Sequence, residues 1–132
     1  MMKDCCTMSE LMRPMMGKPD IDNAWGVCCV CGRPATERHH IVKRSAGKLV
    51  VNGREVKKPT VRLCGMGNAS GCHGLAHQGR LHFRWVEREA RTFNDGVFVV
   101  GEGHWEYLIT AEPTKYQDAL RMRGWRRFRK WR

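Results

Sequence analysis

Cysteine and histidine follow one another along this chain in an order that could build two metal sites. Cys28-x₂-Cys31 comes first, and seven residues, Gly32 to Arg38, separate it from the pair His39-His40. Cys64 and Cys72 follow, then His73 directly, then His77 four residues further on. Four thiolates close a tetrahedral zinc site and leave no open position, which makes such a site structural. Three or four imidazoles could hold a second metal with an open position, which is the catalytic type. Cys28-x₂-Cys31 has the spacing of a zinc knuckle. Cys64-x₇-Cys72 is longer, but its intervening loop holds glycine and can close. The competing reading is a set of buried free thiols. Cys29 could replace Cys28, but a single intervening residue would strain the chelate.

The histidines carry their own geometry. His39 and His40 are adjacent in a β-prone run, so their side chains point to opposite faces. One can hold a metal while the other faces a different part of the site. His73 and His77 are spaced i,i+4, which places both on one face of a helix. His82 and His104 read as structural histidines.

These groups need elements to position them. Residues 25–34 read as the knuckle, with Gly32 as its turn. Glu37 to Val42 reads as a strand. Residues 43–58 are polar and basic and suggest a loop, or a hairpin around Asn52-Gly53. Thr60 to Leu63 is a short β-prone run entering Cys64. Residues 65–71 form a loop with three glycines, and a short helix runs from near Cys72 to near Gly79. Leu81, Phe83 and Trp85 alternate with polar residues as in a strand. Val97 to Val100 is a second apolar run, after the turn signal Asn94-Asp95-Gly96. Trp105, Tyr107 and Ile109 form a third alternating run. Pro113 suits the first turn of a helix whose buried stripe is Tyr116, Ala119 and Leu120, with Gly124 as its stop. Residues 1–24 hold six of the eight methionines and read as a loose or weakly helical arm.

Composition narrows the partners. The chain has 132 residues and a net charge of +11. That length suits one domain with a modest core, which a structural metal would help to fold. The charge favours a polyanion such as nucleic acid. No stretch is long enough to span a membrane. Residues 1–20 lack the apolar run of a signal peptide and carry Lys3, Asp4, Glu10, Arg13, Lys18 and Asp20. A reducing, cytoplasmic setting is therefore expected, where the seven cysteines read as ligands rather than disulfides. That leaves Cys5, Cys6 and Cys29 as spare thiols. The end of the chain is basic throughout: Arg121, Arg123, Arg126, Arg127, Arg129, Lys130 and Arg132, interleaved with Trp125, Phe128 and Trp131. These residues either bind phosphates and stack on bases, or form a solvated basic end whose aromatics pack on the domain.

The run Cys28-x₂-Cys31, Glu37-Arg38-His39-His40-Ile41-Val42, Leu63-Cys64, Cys72-His73-Gly74-Leu75-Ala76-His77 resembles the HNH endonuclease family. The resemblance covers roughly residues 25–82. It implies an α+β chain with a ββα-metal core, two strands and a helix gripping one divalent cation. Residues 83–132 would add strands, a helix and the basic tail. It implies His40 as general base toward water, and His39, His73 and His77 as ligands of a catalytic Mg, Mn, Ni or Zn ion. Cys28, Cys31, Cys64 and Cys72 would hold structural zinc, and DNA would be cut to a 5′-phosphate and a 3′-hydroxyl. Small members of the family are often encoded by phages or mobile elements. One position departs from the pattern. Five residues before the third cysteine, where the family carries an asparagine that orients the base, this chain has Pro59. Thr60 is the nearest polar residue, with Asn68 farther off as a second auxiliary candidate. The competing class is a zinc-stabilised nucleic-acid-binding module without catalysis, in which the histidines are structural.

Overall fold

A computed structural model of the chain describes residues 8–21, 26–35, 37–43, 47–66, 70–87, 89–93, 96–100 and 103–128. Its centre is an antiparallel pair, β1 (Glu37–His40) and β4 (Thr60–Leu63), with His39 opposite Val61 and His40 opposite Thr60. β1 stops at His40, before the expected end at Val42. The Ile41 N–H still reaches the Pro59 carbonyl at 3.1 Å, but proline has no N–H to return, so the ladder cannot go on. Ile41 and Val42 turn into the core instead. Between the two strands lies the hairpin β2 (Val50–Val51) and β3 (Arg54–Glu55). Its turn is Asn52-Gly53 with φ of 53° and 78°, the doubly left-handed turn that this dipeptide favours.

β4 leads into α2 (Gly71–His77) through a crossing that only glycine permits. An added Cβ at Gly65 would collide with the Ser70 carbonyl, and one at Gly71 would lie 2.6 Å from the Cys64 oxygen. The close approach is sealed by the His73 N–H, which donates to the Cys64 carbonyl at 2.9 Å. At seven residues, α2 is too short to be stable alone, so it depends on the packing around Cys72, His73 and Gly74. It ends at His77, and Gly79 follows with φ of 75°.

A second sheet continues the chain. β5 (Leu81–Val86) pairs along its length with β8 (His104–Ile109), and β9 (Arg126–Arg127) adds to the far edge of β8. Between β5 and β8 the hairpin β6 (Glu89–Phe93) and β7 (Gly96–Val100) projects. The sequence signalled β7 but not β6, and the Asn94-Asp95 turn lies outside the described residues. β8 does not bury the alternating set expected of it. Trp105 and Leu108 are buried and Ile109 is 46% exposed, because both faces of β8 are covered in part: Phe128 packs on Tyr107 and Gly124 lies beside Leu108. The last helix, α3 (Tyr116–Ala119), starts three residues after Pro113 and stops well before Gly124. The Thr114 N–H donates to the Gly79 carbonyl at 2.9 Å, which keeps the proline segment extended.

The segment expected as a loose arm is part of the body. α1 (Met8–Met12) and the 3₁₀ turn at Arg13–Met15 deliver Met12 and Met15 to the core, Met15 at 1% exposure. Ile21 then lies along the free edge of β4, with its N–H on the Thr60 carbonyl at 2.8 Å. Residues 1–7 and 22–24 of the arm lie outside the described residues. No helix among the described residues is long and apolar enough to cross a membrane.

Candidate metal centres

The knuckle is a tight hairpin. Val27 bridges Pro34, the Cys28 N–H donates to the Arg33 carbonyl at 2.6 Å, and the Gly32 N–H returns to the Cys28 carbonyl at 3.0 Å. The turn presents Cys28 and Cys31 toward the place where β4 ends and α2 begins. There Cys28, Cys31, Cys64 and Cys72 bring their four sulfurs within 4.8 Å of one another. Cys31 and Cys64 stand 3.4 Å apart, too far for a disulfide. That spacing is near the roughly 3.8 Å that Zn–S bonds of about 2.3 Å give across a tetrahedral edge. Backbone N–H groups point at the sulfurs, Val30 at Cys28 (3.4 Å) and Cys72 at Cys64 (3.3 Å). The hydrogen bond from Cys72 holds the Cys28 thiol down to about 4, and the same contact pushes Cys72 up. Four clustered sulfurs, three of them buried, with amide donors aimed at two, could hold a structural metal ion. Cys29 stays out of the set: its Sγ donates to the Ile21 carbonyl at 3.4 Å.

His39 from β1 meets His73 and His77 of α2. One ring nitrogen from each lies within 4.8 Å of the others. The Nε2 atoms of His73 and His77 are 3.1 Å apart, close to the roughly 3.0–3.4 Å that two metal–nitrogen bonds of about 2.0–2.1 Å impose. Burial, then the neighbouring His73 and His77, hold the His39 imidazole down to about 4. Burial and the nearby His77 lower His73 as well. His39 is thus neutral at physiological pH, as a ligand imidazole must be. His73 Nδ1 is buried without a hydrogen-bond partner among the described residues, and the Glu37 carboxylate stands 3.8 Å from it. A metal-bound histidine usually donates its other ring N–H to a carboxylate or carbonyl, and Glu37 is placed for that role. The sequence reading passed over Glu37, yet the signal was present. Glu37 is two residues before His39 in the strand, so it lies on the same face.

His40 takes the opposite face of β1. It is exposed on an open groove that Lys48, Glu55, Lys57, Lys58 and Thr60 also line. Thr60 is directly across from it, and its hydroxyl accepts a hydrogen bond from Arg38 at 3.3 Å. Lys57 pairs with Asp20 at 2.8 Å, and the other Asp20 oxygen accepts the Thr60 N–H at 2.8 Å. Burial works against the Asp20 charge, but these bonds outweigh it and lower its pKa. Asn68 lies outside the described residues. His82 is structural in the sense expected, with Nε2 2.8 Å from the Gly79 carbonyl. His104 contacts Glu106 at 3.1 Å.

The basic end divides. Arg121, Arg123, Arg126 and Arg127 are exposed, while Arg129, Lys130, Trp131 and Arg132 lie outside the described residues. The two described aromatics of the tail are not free platforms. Phe128 stacks on Phe83 and tilts against Tyr107, with ring centroids 6.1 and 4.9 Å away. Trp125 donates to the Ala119 carbonyl at 3.1 Å under the Arg84 guanidinium. The packed alternative therefore holds for both.

Comparison of the chain with protein-family models, with curated proteins and with solved structures finds no match in any of the three.

Proposed function

We propose that this protein is a metal-dependent endonuclease of the HNH type, hydrolysing DNA phosphodiester bonds. The observation that carries the proposal is the convergence of His39, His73 and His77 from a strand and a helix, with exposed His40 on the next strand position. A module that only bound nucleic acid would have no use for an open imidazole site beside a closed cysteine one.

The four cysteines would hold zinc and so lock the knuckle to β4 and α2. A divalent cation held by His39, His73 and His77 would polarise the scissile phosphate and steady the leaving 3′ oxygen. His40 would accept a proton from the attacking water, the task an imidazole suits near neutral pH. Glu37 would keep the His73 ring turned so that Nε2 is free for the metal. Lys48 and Lys58 beside His40 would hold the phosphodiester backbone along the groove, and the net charge of +11 would draw the polyanion in. Lys57, paired with Asp20, fixes the groove wall.

Two observations favour a second reading, a zinc-stabilised nucleic-acid-binding module. Among the described residues none hydrogen-bonds the His40 ring, and Pro59 stands where an orienting asparagine would be expected. The deciding experiment is cleavage of supercoiled plasmid after chelation and after refilling with Mg, Mn, Ni or Zn. Metal-restored nicking or linearisation is expected, lost in His40→Ala, which keeps its zinc and its DNA affinity. DNA binding with no cleavage under any metal would leave the second reading.

A further inference from the structure

Beside the histidine cluster lies a cavity of about 350 Å³, within the roughly 300–1,000 Å³ of small-molecule pockets. Its walls come from four parts of the chain: the α1 segment, the end of β1, the start of β5 and the entry to α3. The lining is unusual for a void left by poor packing. Met12, Met15, Leu81 and Phe83 are buried yet face shared open space. With them stand two buried neutral hydrogen-bonding side chains, His82 and Tyr116. His82 Nε2 meets the Gly79 carbonyl, so in the neutral ring Nδ1 is left as an acceptor. Among the described residues the Tyr116 hydroxyl meets only the Met15 sulfur, at 3.8 Å, a weak acceptor. Burial pushes the phenol up, so it remains a donor at neutral pH.

Two further facts choose the occupant. His39 belongs both to the three-histidine cluster and to the cavity lining. Lys43 and Lys115, both exposed, also line it. An occupant matched to this lining is mostly apolar, carries hydrogen-bonding edges, and bears negative charge beside the lysines and the histidines. We propose that the cavity receives one nucleobase of the DNA, swung out of the stack next to the phosphate held at His39, His73 and His77. The thioethers and Phe83 would contact its faces. His82 and Tyr116 would meet its edge, and the lysines would take the flanking phosphates. This rests on the nuclease reading for the position of the phosphate and adds a substrate preference to it. Unstacking costs least at an unpaired base, so cleavage should be faster at mismatched or single-stranded positions than in matched duplex, by roughly tenfold or more.

The test uses the metal-loaded 132-residue chain and DNA carrying the fluorescent base 2-aminopurine at successive positions. Fluorescence of that base rises when it leaves the stack. We expect a rise at one position only, abolished by Gln117→Trp and by Thr114→Trp, two half-buried lining residues whose enlargement fills the cavity from its rim. Both variants should keep DNA affinity within about threefold and their salt dependence, because backbone contacts set these. Bound DNA with no rise at any position overturns the proposal, as does a rise that survives in both variants. Equal cleavage of matched and mismatched sites by the unaltered protein also overturns it. The nuclease reading fails separately: a position-specific rise without cleavage under any metal keeps the cavity's role and removes the catalysis. Absence of DNA binding removes both.

Discussion

Cys72 and His77 lie on the same two-turn helix, yet their loss should have opposite consequences. Cys72 is 7% exposed and is one of the four clustered sulfurs. Structural zinc contributes roughly 10–16 kcal/mol in small zinc domains, so one of four thiolates accounts for about 3 kcal/mol. A domain of this size is stable by only roughly 5–15 kcal/mol. At a few degrees per kcal/mol, Cys72→Ser should lower Tm by about 10 °C. The helix itself adds nothing to resist this, since it is too short to stand without its packing. His77 is exposed at the last turn of α2, and alanine is the better helix former there. His77→Ala should therefore leave Tm within about 2 °C of the parent, because surface changes rarely exceed about 0.5 kcal/mol. It should lose the metal of the histidine site and with it any cleavage. Thermal melts by circular dichroism, with metal content measured on the same samples, read both arms. If His77→Ala unfolds as Cys72→Ser does, or Cys72→Ser keeps its zinc and its midpoint, the division into a structural and an open site is wrong.

Three other outcomes are expected. Glu37→Gln should weaken metal binding at the histidine site by roughly 10–100-fold with an unchanged dichroism spectrum, since Glu37 is 43% exposed; equal affinity in a metal titration would free His73 from Glu37. Phe128→Ala should cost about 2 kcal/mol in urea unfolding, from two aromatic contacts of about 0.5–1.5 kcal/mol each plus partial burial, and an unaltered midpoint would show that the tail contributes no packing. Burial alone would raise the Glu106 pKa, but hydrogen bonds from His104 and Arg84 outweigh it and hold it below its ordinary value. The native state then binds fewer protons than the unfolded one, so this contribution is complete above about pH 4.5 and is lost as pH falls through the folded value. Glu106→Gln should flatten the acid limb of stability relative to the parent, and parallel curves would remove Glu106 from it.

Much of the local structure was legible because its causes are local. Asn52-Gly53 specifies its turn from two residues, and the alternation from Leu81 to Trp85 specifies β5. The knuckle spacing and the His73–His77 interval are likewise short-range. β6 and the packed N-terminal segment were not legible. Met12 and Met15 show no period, and they are buried only because β5 and Tyr116 arrive there from 70 to 100 residues away. Pro59 was read as a missing asparagine, and its larger structural effect, ending the β1 ladder, depends on which strand lies opposite.

For the sites, the sequence alone determined which residue types were available and which of them could act in pairs, because two-residue and four-residue intervals bind a knuckle or a helix face whatever surrounds them. Only the tertiary structure decided how the pairs combine. Cys28 rather than Cys29 faces Cys64 because Ile21, pairing along the edge of β4, draws the Cys29 thiol to its own carbonyl. His39 rather than His40 faces α2 because the register against Val61 and Thr60 sets which side of the strand each side chain takes. The close contacts of Gly65 with Ser70, and of Gly71 with Cys64, hold the start of α2 against the end of β4, where Cys64 and Cys72 meet. Side-chain direction in each case is imposed by backbone hydrogen bonds and close contacts to other segments of the chain, and the spacing of the ligands does not record those partners.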